Sequence, residues 1–426
     1  MKRKRFIIGS LMVSLLLLVP PGSVQAFQEE GTLRIGAQWA MSTVVGVFGI
    51  NANALFSLAI DEINEAGGMK IGGKAVKIDK KVYDDACNAE QGLSVARRLA
   101  TADQVLVSLG PTCSNVAEPV FGTLQKRLGD PSDTGIQMPY FTDQAIKFGL
   151  AKISPWAFRN VGNEPEMYDF IFKYLKEKFP QYKRVAVGYE SDFAHSASTY
   201  KLGIKPALDK YGWEEVEVQG WRWTDTEFGA QITKMKKSNP DIVALATHPF
   251  TTCGSLKEAK RQGLKAKLWV GLTSTASQES LNTCPKLLEE IILPTNFAGV
   301  TPKAKEVAEK AWAKYKGDTN LHTAPSYENV YAIKQLVEKI GIENRAETIL
   351  QDRRKFRDAL AKIGSFRGLV GPITMHAEDH PVNPRDVTKA MILVTVKDAK
   401  FVTWWAPPEF PEDPKSLLWR LSLIHI

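Results

Sequence analysis

Cysteine, serine and closely spaced carboxylates form the first chemically informative group in this chain. Tyr83-Asp84-Asp85-Ala86-Cys87 is followed by Cys113-Ser114, and apolar patterning predicts a strand over 76–83, a helix over 90–101 and a second strand over 105–109. Cys87 and Cys113 then stand at the carboxyl ends of two strands joined by one crossover helix. Such strands are commonly neighbours in a parallel sheet, so the two sulfurs could meet. A bridge closing about 25 residues would stabilise the fold by roughly 3 kcal/mol in a chain-entropy treatment, and it requires an oxidising compartment. Ser114 is placed to cap a helix. Metal binding by the cysteines Cys87, Cys113, Cys253 and Cys284 has no support from spacing, because there is no CxxC and no adjacent histidine.

A second constellation, His376-Ala377-Glu378-Asp379-His380, has histidines four apart, the spacing that shares one helix face. Gly371-Pro372 precedes it and Pro381 and Pro384 follow, so it reads as a solvated hairpin turn. Motifs for enzyme chemistry are lacking: no GxGxxG follows a strand, there is no GxxxxGK[ST], GxSxG or HExxH, and the six histidines suggest no triad. The residues imply no cofactor and no metal.

The amino terminus supplies the oxidising compartment. Lys2-Arg3-Lys4-Arg5, an apolar run over 6–19 and Val24-Gln25-Ala26 form the pattern of a secretory signal peptide over residues 1–26. The apolar run is shorter than the roughly 20 residues that span a bilayer, no cysteine lies near the cleavage site, and no later segment reads as a span. The expected mature chain is an exported protein without stable membrane insertion. Cleavage removes four basic and no acidic side chains, lowering the net charge from +8 to about +4, too mild for a nucleic-acid surface. A chain of 426 residues with 44% hydrophobic content can fill two cores.

Strand and helix patterns alternate along the chain, which predicts parallel α/β domains. Strands are expected over 33–39, 185–189, 242–246 and 267–271. Helices are expected over 53–66, ended by Gly67-Gly68, and over 166–179, 197–211, 228–238, 254–262, 303–316, 327–340 and 353–363. Residues 371–376 and 391–403 read as hairpin strands, the second turning at Lys397-Asp398. Residues 406–414 hold four prolines and read as a surface tail, and 421–426 fit no element, resembling a non-native end. Extra length at 121–138 reads as an insertion without an assigned role.

Taken in order, these segments resemble periplasmic leucine/isoleucine/valine-type substrate-binding proteins of ABC transporters. The resemblance rests on Ile35-Gly36-Ala37 into Met41-Ser42, on Ala59-Ile60-Asp61-Glu62-Ile63-Asn64 with Gly67-Gly68, and on the two cysteine motifs. Phe228 with Asn239-Pro240-Asp241, and Tyr327-Glu328-Asn329-Val330-Tyr331-Ala332-Ile333, complete it. It covers roughly 31–405 and implies the type I periplasmic-binding-protein fold, two Rossmann-like lobes joined by a three-strand hinge that closes on ligand. Lobe 1 would comprise 27–162 plus 297–368, and lobe 2 would comprise 163–296 plus 369–405. It also implies the pairing Cys87–Cys113, which leaves Cys253–Cys284 as a second bridge.

By the same resemblance a ligand carboxylate is held by Ser114, with the N–H groups that follow the cysteine, and by the Phe141-Thr142 pair. Phe48 and Phe193 cover the ligand, and His248 and Thr273 occupy second-lobe positions. The chemistry suits an anion, since helix N-terminal N–H groups carry partial positive charge. Amino-acid-binding relatives place an acidic residue where this chain has Leu272-Thr273-Ser274, and a buried ammonium without an anion is costly. Asp192, Asp225 or Glu164 could replace it, while Trp39 and Trp156 add aromatic character near the cleft. The implied function is solute capture for the permease of an importer. The ligand would be a branched-chain or hydrophobic amino acid, with an aromatic acid as close alternative, and the protein a monomer. A ligand sensor of the same fold and an exported α/β enzyme are the other readings.

Overall fold

The computed structural model describes residues 31–289 and 291–406, and the backbone of 418–419. The signal-peptide segment, most of the proline-rich tail and residues 421–426 lie outside the described residues.

Two sheets organise the chain. In the first, β1 (Thr32–Trp39), β2 (Met69–Ile71), β3 (Lys74–Asp84), β4 (Ser108–Leu109), β5 (Tyr140–Thr142) and β6 (Ala157–Arg159) lie in the order β2-β3-β1-β4-β5-β6. All neighbours are parallel except β2, which forms a hairpin with β3. Strand β1 is buried along nearly its whole length, as a central strand covered on both faces must be. Its Leu33, Ile35, Ala37 and Trp39 enter the core beneath helix α1 (Gly46–Glu65). On the opposite face Gln38 Nε2 reaches Gly92 O in helix α2 (Ala89–Thr101). Helix α3 (Ser114–Gly122) follows β4 and packs on α2.

The second sheet starts with β7 (Arg184–Glu190), β8 (Glu214–Trp221), β9 (Ile242–Ala246), β10 (Leu268–Val270) and β11 (Ile291–Thr295), ordered β11-β10-β9-β7-β8 and all parallel. Crossovers run through α4 (Glu164–Lys178), α5 (Ala194–Ser198), α6 (Lys205–Lys210), α7 (Gly229–Lys237), α8 (Pro249–Gln262) and α9 (Gln278–Thr283). The single helix expected over 197–211 is divided. A π-helical turn, Thr199–Ile204, separates α5 from α6, where the Thr199 hydroxyl is drawn to Glu164; such turns often sit at functional sites.

The chain returns to the first lobe with α10 (Pro302–Tyr315), α11 (Ala324–Ile340) and α12 (Ile349–Leu360); α10 and α11 pack on α1. A small antiparallel sheet follows, β12 (Ser365–Arg367), β13 (Pro372–Met375) and β14 (Val387–Thr388). The hairpin β15 (Ile392–Lys397) and β16 (Lys400–Trp405) then adds to the second sheet antiparallel to β11, and β17 (Leu418–Trp419) pairs with β16. Its turn residues Asp398 and Ala399 have φ of 50° and 57°.

Residues 385–386, expected in the second lobe, are bonded to the first. Arg159 N–H donates to Arg385 O, the Arg385 guanidinium reaches the carbonyls of Ala151 and Ala157, and buried Arg159 and Asp386 pair at 2.6 Å. The three passages between sheets are cross-tied. Asn160 Nδ2 donates to Asn329 Oδ1, Asn296 Nδ2 donates to Ala390 O, and Lys389 Nζ meets buried Glu328 at 2.7 Å. Both disulfides are formed, Cys87–Cys113 and Cys253–Cys284, with Cα separations of 5.6 and 5.8 Å. The segment 376–380 forms part of the turn between β13 and β14, with the His376 and His380 rings stacked.

Candidate ligand-binding cleft

A narrow cavity of about 30 Å³ lies between the two lobes. Val45, Phe48, Thr112, Cys113, Ser114, Gln144, Ile146 and His322 line it from one side, and Phe193, His195, His248 and Ser274 from the other. Nearly all of these residues follow the carboxyl end of a strand: Thr112 to Ser114 follow β4, Gln144 and Ile146 follow β5, Phe193 and His195 follow β7, His248 follows β9 and Ser274 follows β10. In parallel sheets this edge is where crevices form.

The first-lobe wall is fixed by one buried carboxylate. Asp143 accepts from Trp39 Nε1 at 3.2 Å, Gly110 N at 2.9 Å and Ser326 Oγ at 2.5 Å. It thereby ties together the end of β1, the turn after β4, the loop after β5 and the start of α11. Burial raises its pKa to about 6 against the pull of these donors. Gly110 must be glycine, with φ of 81° and a Cβ position 1.8 Å from Gln38 O. Beyond it, Thr112 Oγ1 accepts from Ala40 N at 3.0 Å and Ser114 Oγ accepts from Lys147 N at 3.1 Å. Each hydroxyl keeps its own hydrogen to donate. The cap of α3 is Cys113, with no side-chain cap bond, so Ser114 is the first helical residue and not the cap expected from sequence. The Val116 and Ala117 N–H groups bond Cys113 O, whereas those of Ser114 and Asn115 have no acceptor within the helix and together with the two hydroxyls make an anion-favouring edge.

The second-lobe wall is a buried chain of carboxylates and imidazoles. Glu164 accepts from His195 Nε2 at 2.9 Å, from Thr273 Oγ1 at 2.6 Å and from Thr199 Oγ1. Glu190 accepts from the His248 ring at Nδ1, from His248 N at 3.0 Å and from Thr251 Oγ1 at 2.6 Å. Between them His195 Nδ1 and His248 Nε2 face each other at 3.1 Å. Burial works to raise the Glu164 pKa, but the His195 charge and the three donors outweigh it and hold the carboxyl below its ordinary value. Burial lowers His195 while the Glu164 charge opposes that shift. His322 reaches across the cleft to Ser274 Oγ at 3.0 Å, and burial, with His195 nearby, pushes its pKa down to about 3. Aromatic rings complete the wall: Phe193 lies 4.5 Å from His248, Phe250 stacks on His248, and Phe48 meets His322 edge-on at 5.5 Å.

Of the residues expected from sequence, Phe48, Ser114, Phe193 and His248 meet at this cavity, whereas Phe141, Thr142 and Thr273 are not in its lining. Phe141 turns into the first-lobe core and packs on Phe366. Thr142 is fully buried with its hydroxyl unpartnered, and Thr273 serves Glu164. Trp39 and Trp156 also lie in cores, their indole N–H groups bound by Asp143 and Gln125. Asp192 and Asp225 accept backbone N–H groups of Trp223 and Arg222, and Glu164 stands behind His195. The sequence reading missed Gln144, His195, Ser274 and His322, whose position just beyond strand ends or at a helix start was the available signal. Among the described residues no group of histidine, cysteine and carboxylate side chains could hold a metal ion, and no helix is long and apolar enough to cross a membrane.

The family model described as periplasmic binding protein matches residues 32–400, and the chain belongs to that family. The leucine-, isoleucine-, valine-, threonine- and alanine-binding protein of Pseudomonas aeruginosa is 24% identical over 327 residues, covering 73% of this chain and 79% of the relative. Among solved structures, the branched-chain amino acid transporter substrate-binding protein LivJ of Streptococcus pneumoniae, in complex with isoleucine, is similar with a TM-score of 0.72. It is 22% identical, with 87% of this chain and 97% of that one covered. A solute-binding protein of an ABC transporter from R. palustris, in complex with 4-hydroxybenzoate, has a TM-score of 0.70 at 21% identity, covering 88% and 96% of the two chains. At these identities the structural likenesses establish the fold.

Proposed function

We propose that the protein is the solute-binding subunit of an ABC importer. It captures a small carboxylate-bearing ligand, a branched-chain or hydrophobic amino acid or an aromatic acid, and presents it to a permease. The observation that carries this reading is the cavity between the lobes, with hydroxyls and a helix N-terminus on one wall and an aromatic and imidazole wall opposite. Ligand docks on the first lobe at Thr112 and Ser114, and the second lobe brings Phe193 and His248 over it. Closure is a population shift driven by contacts made only in the closed form. The lobes of this reading are 32–162 with 297–388, and 163–296 with 389–405, because 385–386 bond to β6. Residues 1–26 direct export to the periplasm, and the mature chain works as a monomer.

Supporting features are the family membership, the two disulfides, which suit an oxidising compartment, and relatives whose names state amino-acid binding. The test is a thermal-shift screen of the oxidised mature protein against hydrophobic amino acids and aromatic acids, since a ligand bound only by the folded state raises Tm. A rise with members of either class supports the reading, and no rise across both classes refutes it.

A further inference from the structure

One residue of the cavity lining carries a buried polar atom without a hydrogen-bond partner. Gln144 is 2% exposed and lines the cavity. Its Nε2 donates to Phe48 O at 2.8 Å, while Oε1 has no hydrogen-bond partner. Exchanging the two ends of the amide would set Oε1 against the Phe48 carbonyl, acceptor against acceptor, so the orientation is fixed by chemistry. Buried carbonyl oxygens in folded proteins are almost always paired. A ligand taken up between the lobes beside Gln144 therefore brings a donor to Oε1.

The surroundings say which donor. No aspartate or glutamate lines the cavity. Glu164 and Glu190 stand behind the imidazoles, and each already accepts three hydrogen bonds from its own lobe. An ammonium would bring a full charge to a lining without a carboxylate, and burying a charge that poorly matched is costly. A hydroxyl brings one hydrogen to one acceptor. Thr112 and Ser114, whose own hydrogens are left to give, serve the carboxylate.

We propose that Gln144 is a specificity-determining residue that accepts from a single neutral hydroxyl, and that the ligand is a small hydroxy-carboxylate rather than an α-amino acid. This rests on the solute-binding reading above and narrows it. Two sources share the chemistry, aliphatic 2-hydroxy acids and phenolic acids, and the test separates them.

Calorimetric titration of the mature protein would use two matched series. The first is 2-hydroxy-4-methylpentanoate, leucine and 4-methylpentanoate; the second is 4-hydroxybenzoate and benzoate. In one series the hydroxy acid binds at least about tenfold more tightly than its partners, the cost of leaving a buried acceptor unpaired. Gln144→Met removes that advantage; an unaltered apo melting curve shows that the variant folds. Leucine binding as tightly as its hydroxy analogue, or hydroxyl-free acids binding as tightly as hydroxy acids, overturns the proposal and leaves solute binding intact. A Gln144→Met variant that keeps the preference also overturns it. Absence of binding across both series overturns the proposal together with the reading beneath it.

Discussion

Replacing Glu164 by glutamine isolates the carboxylate on which the second-lobe wall depends. Glu164 is 3% exposed and accepts from His195, Thr199 and Thr273. The amide keeps the volume and one oxygen, but it removes the charge and turns an NH₂ group toward hydroxyl or imidazole donors. Losing one hydrogen bond to a charged group costs about 1.5–3 kcal/mol, and a buried donor left without an acceptor costs a similar amount. Partial relaxation brings the expected loss to about 3 kcal/mol at neutral pH, a sizeable share of a typical folding free energy. The sign of its pH dependence follows from the depressed pKa. In the unfolded chain Glu164 titrates near 4.5, and in the folded chain lower. Its contribution is therefore fully present above about pH 4.5 and is lost as pH falls through the folded value. Urea unfolding of wild type and Glu164→Gln at about pH 7 and again near pH 3.5 should show a gap of about 3 kcal/mol that narrows with acid. A neutral-pH gap below about 1 kcal/mol, or one that does not narrow, would refute the reasoning.

Arg159→Met leaves Asp386 buried without its partner and should cost about 3–5 kcal/mol. The deficit should shrink as pH is lowered, because burial already raises Asp386 and a protonated carboxyl needs no cation; Asp386→Asn in the same chain should recover much of it, which a double-mutant cycle measures. The Cys87→Ser/Cys113→Ser pair, opening a separation of 26 residues, should lower stability by about 3 kcal/mol through chain entropy; denaturant midpoints check this, and a loss under about 1 kcal/mol contradicts it. His322, with its pKa pushed to about 3, should show ring proton signals that stay fixed from about pH 8 to pH 5 in NMR; a titration midpoint near 6 would mean water reaches the ring.

The long crossover helices and the central strands were legible because their patterns are local. Strand β1, α1 and α11 carry apolar residues at regular spacing, and Gly67 and Gly68, both at positive φ, follow the end of α1 as expected. Strands β5 and β6 escaped notice because three residues each give no periodicity. The division of the 197–211 helix falls at Thr199, which bonds Glu164, a residue distant in sequence that no helical pattern encodes.

At the cleft, local pattern and chain order fixed which residues stand just after strands, and the family resemblance singled out Ser114, Phe193 and His248 among them. The sequence could not say which side of a three-residue strand faces the cleft. Thus Phe141 went to the core, while Gln144 and Ile146, a few residues on, reached the cavity. Nor could it join Glu164, Glu190, His195 and His248, which come from four elements of the second lobe and meet only when the sheet assembles. Covalent and local preferences act within a few residues along the chain, whereas the cost of burying charge is settled by whichever partners the fold brings within about 3 Å. That cost placed the histidines on their carboxylates.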